Sequence, residues 1–406
     1  MTQSALEGVR VINFGWIWAA PVMGHLLADF GAEVIRVESS SRPCIFRRIM
    51  PLVGTEPGPN LNGHWQNWNR GTLGITANWK KPEAVELLKR LVAKSDVVIE
   101  NFPPRVLKGR GLDYESLVKV KPDLIMISLP AVGQTGPLKD IMTFGPSLGS
   151  IAGIASLLGY PDTGEASFEY CYTDSIASVT GVFLILSCLR HRNLTGEGQF
   201  IDMGQSEASS CLIGESIMDY TMNDRVMGFQ GNFSRWMAPH NLYPCKGEDR
   251  WVSIAIKTED EWDNFCRAIG NPPWAKEDRF ADNFSRLRNR KDLDRLVSEW
   301  TIEHTPYEVM EILQRVGVAA MPSLDDDERC FTDPHHEARE SFVDIKTPDI
   351  EEPVPIYNVP WKLSETPGTI RDRAPTIGQH NDYVYGEILG LSKEEITRLT
   401  ERKVIY

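Results

Sequence analysis

The sequence lacks the short motifs that identify several classes of enzyme and metal site. No GxGxxG follows the first strand-like segment, and no P-loop or HExxH occurs, so the usual signatures of dinucleotide binding, NTP hydrolysis and zinc proteolysis are missing. No pair of cysteines has CxxC spacing, which argues against a disulfide framework and a zinc site. Reduced thiols in a cytoplasmic protein fit this pattern best. The seven cysteines are at positions 44, 171, 188, 211, 245, 266 and 330.

The sequence also lacks a surplus of positive charge and a targeting segment. Its net charge of −13 argues against a nucleic-acid-binding protein, which usually carries a basic patch. The N-terminus has no basic region followed by an apolar core, so no signal peptide is predicted. The strongest apolar run, residues 176–189, is interrupted by polar or small residues and is shorter than the roughly 20 residues that span a bilayer. We therefore predict a buried core helix there, and a protein that does not bind membranes.

The first 200 residues alternate short apolar runs with helical patterns. Residues 9–14, 34–37, 97–100 and 124–128 are predicted strands, while residues 21–30 and 82–94 have helical periodicity. Strands that alternate with helices indicate a parallel sheet covered on both faces. The predicted fold is α/β, with a Rossmann-like large domain at residues 1–222 and a smaller α+β domain at residues 241–325. Residues 223–240 are the predicted linker, and residues 326–406 are predicted to return to the large domain as a Pro-rich tail.

Asp174 is the most informative single residue. It lies in the segment FEYCYTDS, residues 168–175, as a lone carboxylate just before the long apolar run. Aspartate is favoured before a helix because its oxygen accepts hydrogen bonds from the first-turn N–H groups. The alternative is a carboxylate nucleophile for acyl transfer. The local sequence leaves both interpretations open.

Indoles and guanidinium groups supply candidate substrate contacts. Tryptophans in loops can line a ligand pocket, although aromatic residues more often belong to the core. Arginines close together can bind a carboxylate or a phosphate, and a solvated turn is equally compatible. The candidate substrate-pocket residues are Trp16, Trp18, Arg47 and Arg48, with Trp65, Trp68, Arg42 and Arg235 as further members of the same two groups.

Seven segments, in order along the chain, resemble the family III CoA-transferases, the group that contains formyl-CoA and carnitine CoA-transferases. The resemblance covers nearly the whole length and implies an enzyme whose substrate is a CoA thioester, with no permanently bound cofactor. It also implies an interlocked dimer, formed by two identical or two related chains. The segments are residues 6–13 (LEGVRVIN), 26–38 (LLADFGAEVIRVE), 69–72 (NRGT), 96–102 (DVVIENF), 133–137 (GQTGP), 195–199 (TGEGQ) and 238–245 (APHNLYPC).

The resemblance also implies a mechanism and a nucleophile. Family members carry an active-site aspartate shortly before the apolar helix, and Asp174 stands at that position. The implied route is ping-pong, through an aspartyl-acyl anhydride and an aspartyl-CoA thioester. Because only a carboxylate can form these intermediates, the resemblance favours the nucleophile over the helix cap.

Further positions carry over from the same resemblance. Arg70, Asn101 and Phe102 match the region that contacts the CoA nucleotide, with strand-end capping as the structural alternative. The arginine that follows the family's Asn-Phe segment falls on Gly109 here, so that Arg105 and Arg110 are candidate substitutes.

Three departures from the family pattern bear on function. Trp18 replaces a glutamine of formyl-CoA transferases, which indicates a different acyl pocket. The glycine-rich flap is absent, and residues 231–236 are the candidate replacement. The related α-methylacyl-CoA racemases need a histidine about 30 residues before the aspartate for proton transfer. Phe144 stands there and cannot carry a proton, so we reject the racemase.

The predicted function is the transfer of CoA from an acyl-CoA donor, with succinyl-CoA favoured, to an organic acid. The tryptophans and arginines together favour a dicarboxylic acid with an aromatic group, such as a benzylsuccinate. A noncatalytic subunit of a heteromeric transferase is the remaining alternative, although the presence of Asp174 favours a catalytic chain.

Overall fold

A computed structural model describes residues 4–48, 58–60, 62–165, 171–347 and 350–406 of the chain. The chain divides into two compact units. The larger contains Met1–Ala155, Phe168–Arg225 and His335–Tyr406, and the smaller contains Ser156–Ser167 and Val226–Pro334. Most of the segment that the sequence suggested as a linker, residues 223–240, thus belongs to the smaller unit, together with a short piece from before the long helix.

The strands and helices follow in chain order. The strands are β1 (Arg10–Asn13), β2 (Glu33–Glu38), β3 (Leu73–Thr76), β4 (Val97–Glu100), β5 (Ile125–Ser128), β6 (Gly159–Tyr160), β7 (Gly164–Glu165), β8 (Phe200–Asp202), β9 (His240–Pro244), β10 (Trp251–Ala255), β11 (Ala319–Ser323), β12 (Phe342–Thr347) and β13 (Ile350–Tyr357). The helices are α1 (Ala19–Asp29), α2 (Gly63–Asn69), α3 (Pro82–Val92), α4 (Arg105–Lys108), α5 (Tyr114–Leu117), α6 (Gly145–Ile151), α7 (Tyr172–Thr195), α8 (Gln205–Ser210), α9 (Gly214–Asn223), α10 (Glu259–Ala268), α11 (Asn283–Arg288), α12 (Arg290–Thr301), α13 (Pro306–Gln314), α14 (Pro334–Ala338) and α15 (Lys393–Glu401).

A six-stranded parallel sheet forms the centre of the larger unit, which confirms the predicted α/β class. Its strand order is β3-β2-β1-β4-β5-β8. The chain runs outward in one direction from β1 to β3 and in the other from β4 to β8, so the order reverses between β1 and β4. In open parallel sheets, ligands bind in the crevice at the carboxyl ends of the strands at such a reversal. The loops after β1 and β4 are therefore the first place to look for a site.

Helices cover both faces of this sheet. On one face, α3 contributes Leu87, Leu88 and Leu91, which pack with sheet residues and with side chains from the C-terminal end of the chain. On the other face, α1 and α7 pack against alternate sheet residues such as Val11, with Met23 and Ile185 in the interface. Because each strand buries both of its faces, the strands are short continuous apolar runs rather than alternating ones.

The tail after residue 335 packs on the larger unit through hydrogen bonds to its backbone. The Thr369 N–H donates to the Asp29 carbonyl at 2.8 Å, and the Asn78 N–H donates to the Val404 carbonyl, also at 2.8 Å. The Tyr385 hydroxyl donates to the Thr76 carbonyl at 2.7 Å. The segment holds more regular structure than its proline content suggested, since β12 pairs with β13 and α15 begins after the predicted Ser392 cap.

Helix α7 is longer and more exposed than the predicted core helix. Ala177, Gly181 and Ile185 lie on its buried side, whereas Phe183 is 67% exposed and Val179 is 51% exposed. The expectation of a buried helix thus holds for one face only. By length and composition alone, α7 is also the one helix in the described part of the chain that could cross a membrane.

The smaller unit has its own core. An antiparallel sheet of order β11-β10-β9 packs against α10, α12 and α13, with Trp262, Phe265 and Val297 among the buried side chains. The β6–β7 hairpin belongs to this unit, and the Gly231 N–H donates to the Gly159 carbonyl at 2.8 Å. The segment that begins at Val226 is therefore held against the hairpin at this point.

Candidate active site

The loops after β1 and β4 are joined by one side chain. The Asn101 amide oxygen accepts a hydrogen bond from the Trp16 N–H at 2.7 Å, and the Asn101 amide nitrogen donates to the Trp16 carbonyl at 2.8 Å. Both ends of the Asn101 amide are thus engaged by the backbone of one residue. This geometry agrees with the structural alternative for Asn101, strand-end capping, in which it fixes the loop that leads into α1.

That loop contains a strained turn, which we call the Ile17 turn (residues 15–18). Ile17 has φ 68°, a left-handed conformation that β-branched residues rarely adopt. Asn13 braces the turn, because its side-chain oxygen accepts from the Gly15 N–H at 2.9 Å and its nitrogen donates to the Ala20 carbonyl at 2.7 Å. A Cβ at Gly15 would lie 2.0 Å from the Ala20 Cβ, so only glycine fits there.

Asp174 is the third residue of α7 and does not cap that helix. The N-cap position is Cys171, which makes no side-chain capping hydrogen bond. Hydrogen bonding from the backbone of Ala19, the first residue of α1, and from its own backbone N–H instead acts to lower the pKa of the Asp174 carboxyl. Asp174 is thus not the N-cap residue of α7, although its own N–H belongs to the first turn of that helix. Residues 168–170, which open the segment that contains Asp174, lie outside the described residues.

The surroundings of Asp174 raise the pKa of its carboxyl, although not above neutral pH. Burial raises the pKa of Asp174 to about 6, although hydrogen bonds from Ala19 and from its own backbone favour the ionised form. Burial also raises the pKa of the neighbouring Cys171 thiol to about 11, and the Asp174 charge adds to this shift. Near neutral pH the site therefore holds an ionised carboxylate that is poorly solvated, beside a protonated thiol. A poorly solvated carboxylate is a stronger nucleophile than one in water.

Two small residues bring the helices close together around Asp174. A Cβ at Gly145, the first residue of α6, would lie 2.5 Å from the Cys171 sulfur and 3.1 Å from Asp174 Oδ2. Ser178 donates to the Asp174 carbonyl at 2.6 Å and lies within hydrogen-bonding distance, 2.9 Å, of the Ala19 carbonyl. Sequence reasoning missed both residues, because a Gly-Pro pair and a serine within an apolar run are common in proteins and do not by themselves indicate an active site.

Aromatic rings line the chain immediately before Ala19. The Trp18 ring packs on Trp68 with centroids 3.8 Å apart, and Trp68 stacks on His64 at 4.4 Å. Phe46 meets the Trp68 ring edge-on at 4.8 Å. Trp18 and Trp68 thus belong to one aromatic cluster, as the pocket interpretation requires, and His64 and Phe46 are members that the sequence did not reveal. Trp65 is completely buried and belongs, with Phe46, to the core cluster against which Trp18 and Trp68 pack.

The predicted arginine group contains one buried and two exposed members near the aromatic cluster. Arg47 is fully buried and forms an ion pair with Glu38, with Nη2 2.6 Å from Oε2, while its guanidinium carbon lies 3.6 Å from the Trp65 centroid. Its remaining N–H groups reach Asn60 and the Pro375 carbonyl. The guanidinium of Arg47 is thus engaged within the protein, which does not favour its place in the substrate pocket. Arg48 and Arg42 are exposed, and Arg42 lies 4.7 Å over the Trp16 ring.

Arg70 is also engaged within the protein. It is 2% exposed, and Nε and Nη2 donate to the two carboxylate oxygens of Asp29 at 3.2 and 2.8 Å. His25 lies on the same carboxylate, and burial lowers the pKa of His25. This pairing does not favour the inferred contact between Arg70 and the CoA nucleotide, which stays a prediction. Its guanidinium joins α1 to the end of α2.

The other inferred nucleotide contacts lie near the end of β4. Phe102 is half-buried and meets the Trp79 ring edge-on at 5.8 Å. Arg105 is exposed and pairs with Asp140 at 3.1 Å, and Arg110 is exposed a short distance along the chain. Both guanidinium groups are exposed, and their contact with a CoA phosphate stays a prediction.

Glu100, the last residue of β4, is a buried carboxyl that sequence reasoning overlooked. One oxygen accepts from the Phe102 N–H at 2.7 Å, and the other bonds to the Ser128 hydroxyl. Burial raises the pKa of Glu100 to about 7, hydrogen bonds from Ser128 and Phe102 oppose this shift, and the Asp202 charge adds to it. The group titrates near neutral pH beside the loop that carries Asn101.

Glu100→Gln is expected to stabilise the protein at pH 8 and to have little effect at pH 4.5. The folded state keeps the Glu100 proton up to about pH 7, whereas an unfolded chain releases it near pH 4.5, so the stability of the wild type falls as pH rises through this window. The difference is at most about 3 kcal/mol. Urea unfolding at both pH values measures it.

Glu83→Gln is the matched control for this prediction. Glu83 is exposed on α3, and hydrogen bonds lower its pKa, which gives the opposite sign and a small effect. An equal gain from Glu100→Gln at both pH values would contradict the shifted titration of Glu100.

The candidate flap lies in the smaller unit. Residues 231–236 end at Trp236, which is 78% exposed and whose carbonyl accepts from Asn283 at 2.9 Å. The Arg290 guanidinium carbon lies 4.2 Å from the centroid of the Phe233 ring, and these two side chains line a cavity of about 260 Å³ with Phe229 and Arg235.

In the described ranges, no group of three or more His, Cys, Asp or Glu residues could hold a metal ion.

Known proteins resemble this chain over nearly its whole length. Residues 6–381 match CoA-transferase family III. Succinyl-CoA–D-citramalate CoA-transferase of Chloroflexus aurantiacus is 32% identical over 400 residues, which is 98% of this chain and 98% of that protein. The beta subunit of succinyl-CoA–L-malate CoA-transferase of the same organism is 34% identical over 406 residues, or 100% and 99% of the two chains.

Solved structures agree with these sequence matches. The crystal structure of a CAIB/BAIF family protein from Brucella suis has a TM-score of 0.86 and 30% identity to this chain, and the match covers 95% of this chain and 100% of that one. Fold and sequence thus lead to the same assignment. The chain belongs to CoA-transferase family III and is a transferase whose substrates are CoA thioesters.

Proposed function

We propose that this enzyme transfers CoA from succinyl-CoA to a dicarboxylic acid, with Asp174 as the covalent nucleophile. The observation that carries the proposal is the Asp174 carboxyl beside the first residue of α1, half-buried and with its pKa raised to about 6. Such a group is ionised at neutral pH but only weakly solvated, so it is available for attack. The succinyl-CoA donor is supported by the names of both Chloroflexus relatives.

The reaction proceeds through four displacements at carbonyl carbons. An Asp174 oxygen bonds to the thioester carbon of the donor, and the C–S electron pair leaves with the CoA thiolate. The thiolate then attacks the Asp174 carboxyl carbon, and the donor acid leaves as a carboxylate. The acceptor carboxylate attacks the resulting aspartyl-CoA thioester and expels the thiolate, which finally attacks the acyl carbon of the acceptor and regenerates Asp174. Each step exchanges one bond for another, so the cycle needs no oxidant and no net proton transfer.

The acceptor is proposed from the surroundings of Ala19. The Trp18–Trp68–His64 cluster supports an apolar, aromatic part of the acid, with a benzylsuccinate as the model compound. The exposed guanidinium groups of Arg42 and Arg48 replace Arg47 as candidate partners for a second carboxylate. Small hydroxydicarboxylates such as L-malate and D-citramalate are the second candidate, because the two relatives are named for them.

A panel of acceptor acids tests this function. The purified protein and succinyl-CoA are incubated with benzylsuccinate, L-malate, D-citramalate, and monocarboxylates such as acetate and phenylpropionate, and acyl-CoA products are separated by chromatography. We expect transfer to dicarboxylates and the highest kcat/KM for the aromatic one. Initial rates should give parallel double-reciprocal lines, which is the pattern of a ping-pong mechanism.

Three outcomes would change the proposal. Exchange with monocarboxylates alone would remove the dicarboxylate, and higher kcat/KM for malate or citramalate would remove the aromatic part. Intersecting lines would remove the covalent route. If the chain alone transfers CoA to none of the acids but becomes active after a related chain is added, it is a subunit of a heteromeric enzyme. The beta-subunit relative is named as such a subunit.

The exposed side of α7 supports an assembly of two chains. Val179, Phe183 and Leu186 of α7 are exposed, and so are Met218 and Met222 of α9. An apolar surface of this kind marks an interface in a soluble protein. A bilayer is the poorer candidate, since the opposite side of α7 packs against the sheet and α1, where a Cβ at Gly181 would lie 2.7 Å from Met23 Cε. We propose that a second copy or a related chain covers this side.

A further inference from the structure

We propose that Asn101 is a positioning residue for the nucleophile, because its amide holds the Ile17 turn and this turn directs the Ala19 N–H at the Asp174 carboxyl. The proposal rests on the proposed function, since it takes Asp174 as the group that reacts. It differs from the role that the family resemblance suggested for Asn101, which was a contact with the CoA nucleotide. Loss of a positioning residue should lower kcat, whereas loss of a CoA contact should raise the KM for succinyl-CoA.

The amide of Asn101 is fully used by the protein. Its oxygen accepts from the Trp16 N–H at 2.7 Å, and its nitrogen donates to the Trp16 carbonyl at 2.8 Å. Residues 16 and 101 follow β1 and β4, the two strands at which the sheet order reverses. The pair therefore joins the two loops that border the crevice. A nucleotide contact through the side chain would compete with these two bonds.

The Ile17 turn needs such support. A β-branched residue at φ 68° is in an unfavourable conformation and persists only where its surroundings determine it. Asn13 holds the turn from β1, and buried Arg36 donates from Nη1 to the Gly15 carbonyl at 3.1 Å. Asn101 supplies two bonds to Trp16, the residue before Ile17. Strain of this kind is often found where a backbone group must point at a reacting atom.

The Ile17 turn leads directly into the first residue of α1. Trp18 is the N-cap of α1, and Ala19 is its first residue. Hydrogen bonding from the Ala19 backbone is the main effect that holds down the pKa of Asp174 against burial. Ser178 fixes the same pair from the other side, since its hydroxyl lies 2.6 Å from the Asp174 carbonyl and 2.9 Å from the Ala19 carbonyl. A shift of the Ile17 turn therefore changes the hydrogen bond on the nucleophile directly.

This hydrogen bond acts in the second displacement. When the CoA thiolate attacks the Asp174 carboxyl carbon, the electron pair of the C=O bond moves to the carboxyl oxygen, and it returns as the donor acid leaves. An N–H group aimed at that oxygen stabilises the tetrahedral intermediate. In the free enzyme the same N–H favours the carboxylate. Loss of the alignment should therefore lower kcat and also raise the pKa of Asp174.

The test compares variants of the full-length enzyme. Asn101→Ala is expected to lower kcat about 10- to 100-fold, with the KM for succinyl-CoA within about threefold of the wild type. The acidic limb of the kcat/KM profile should move to higher pH. Ile17→Gly lets the turn adopt its positive φ without strain, because glycine populates this region readily. In the double variant, Ile17→Gly should recover at least about fivefold of the kcat lost by Asn101→Ala, since the turn then no longer needs the clamp.

Asn67→Ala is the matched control. Its amide also holds a backbone N–H, that of Tyr357 at 2.9 Å, but it belongs to α2 rather than to the loops after β1 and β4. It should lose stability without a change in the pH profile. If Asn101→Ala does not fold, Asn101→Asp is measured in its place, because aspartate keeps the acceptor for the Trp16 N–H. Its kcat and pH profile should change in the same direction by a smaller amount.

The outcomes separate this proposal from the function on which it rests. If Asn101→Ala or Asn101→Asp raises the KM for succinyl-CoA and leaves kcat and the pH profile unchanged, Asn101 contacts CoA and the positioning role is wrong. If Ile17→Gly makes Asn101→Ala worse, the turn is not what the clamp supports. If Asp174→Asn is as active as the wild type, the proposed nucleophile fails, whatever Asn101 does.

Discussion

Asp174→Asn is expected to abolish CoA transfer, with a fall in kcat of at least about 10⁴-fold, and to leave the protein folded. Attack by an amide oxygen would give an acyl imidate, which has nitrogen in place of the carbonyl oxygen, rather than the anhydride that the cycle needs. Asparagine has nearly the same shape as aspartate and can still accept the hydrogen bond from Ala19. The loss therefore reports on covalent chemistry rather than on packing.

The stability of this variant gives an independent check. Because burial raises the pKa of Asp174 to about 6, the folded state keeps a proton that the unfolded chain releases near pH 4, and the wild type loses stability as pH rises through this range. A neutral amide avoids that loss. Asp174→Asn should therefore be at least as stable as the wild type at pH 8. A variant that is inactive because it is unfolded would show the opposite.

Chemical trapping locates the covalent intermediate. After incubation with succinyl-CoA, hydroxylamine should convert an activated carboxyl to a hydroxamate, and mass spectrometry of the peptides should find it at Asp174. Asp123→Asn is the control, because Asp123 is a partly exposed carboxylate paired with Lys121. It should keep both activity and label. A label on a different carboxylate, or activity in Asp174→Asn, would remove Asp174 from the mechanism.

Arg47→Ala is expected to lower the free energy of unfolding by about 3–5 kcal/mol, the largest effect on stability that we predict. Arg47 and Glu38 form a buried ion pair, so removal of the guanidinium leaves a buried carboxylate without its partner. Burial alone would raise the pKa of Glu38, but the charge and hydrogen bonds of Arg47 lower it below its usual value of 4.5. The pair therefore stabilises the fold above pH 4.5, and this contribution is lost as the pH falls further.

Arg48→Ala is the natural comparison, because the next side chain along the chain is exposed. Its effect on urea unfolding should stay within about 0.5 kcal/mol. The two arginines are adjacent in sequence and were equal candidates for the substrate pocket. If Arg47→Ala were as stable as the wild type and instead raised the KM for the acceptor acid, the buried ion pair would not be the role of Arg47.

The large domain could be predicted because its signals are local. The stripe of Leu87, Leu88 and Leu91 is a property of one helix, and short apolar runs such as residues 97–100 are typical of strands buried on both faces. The Ser392 cap also lies next to the helix that it starts. Sequence reasoning also singled out Asp174 as a lone carboxylate before an apolar run, but the family resemblance was needed to favour a nucleophile over a helix cap.

The roles of individual polar residues depend on partners that are far away in sequence. Arg70 was expected at a ligand, and its partner Asp29 is 41 positions away. The clamp between Asn101 and Trp16 joins positions 85 apart, and Arg47 reaches the Pro375 carbonyl across 328. Such pairs exist only after the strands have been ordered in the sheet. The sequence records which groups are charged or polar, but it does not record which of them meet.

The sequence by itself determined the α/β class, the position of the candidate nucleophile and, through motifs spread along the chain, the family. The tertiary structure alone decided that Arg47 and Arg70 are buried in ion pairs, that burial raises the pKa of Asp174, and that Trp18 joins an aromatic cluster. The physical reason is that secondary structure follows from periodicity over a few residues. The charge, solvation and pKa of a side chain instead follow from the groups that the completed fold brings against it.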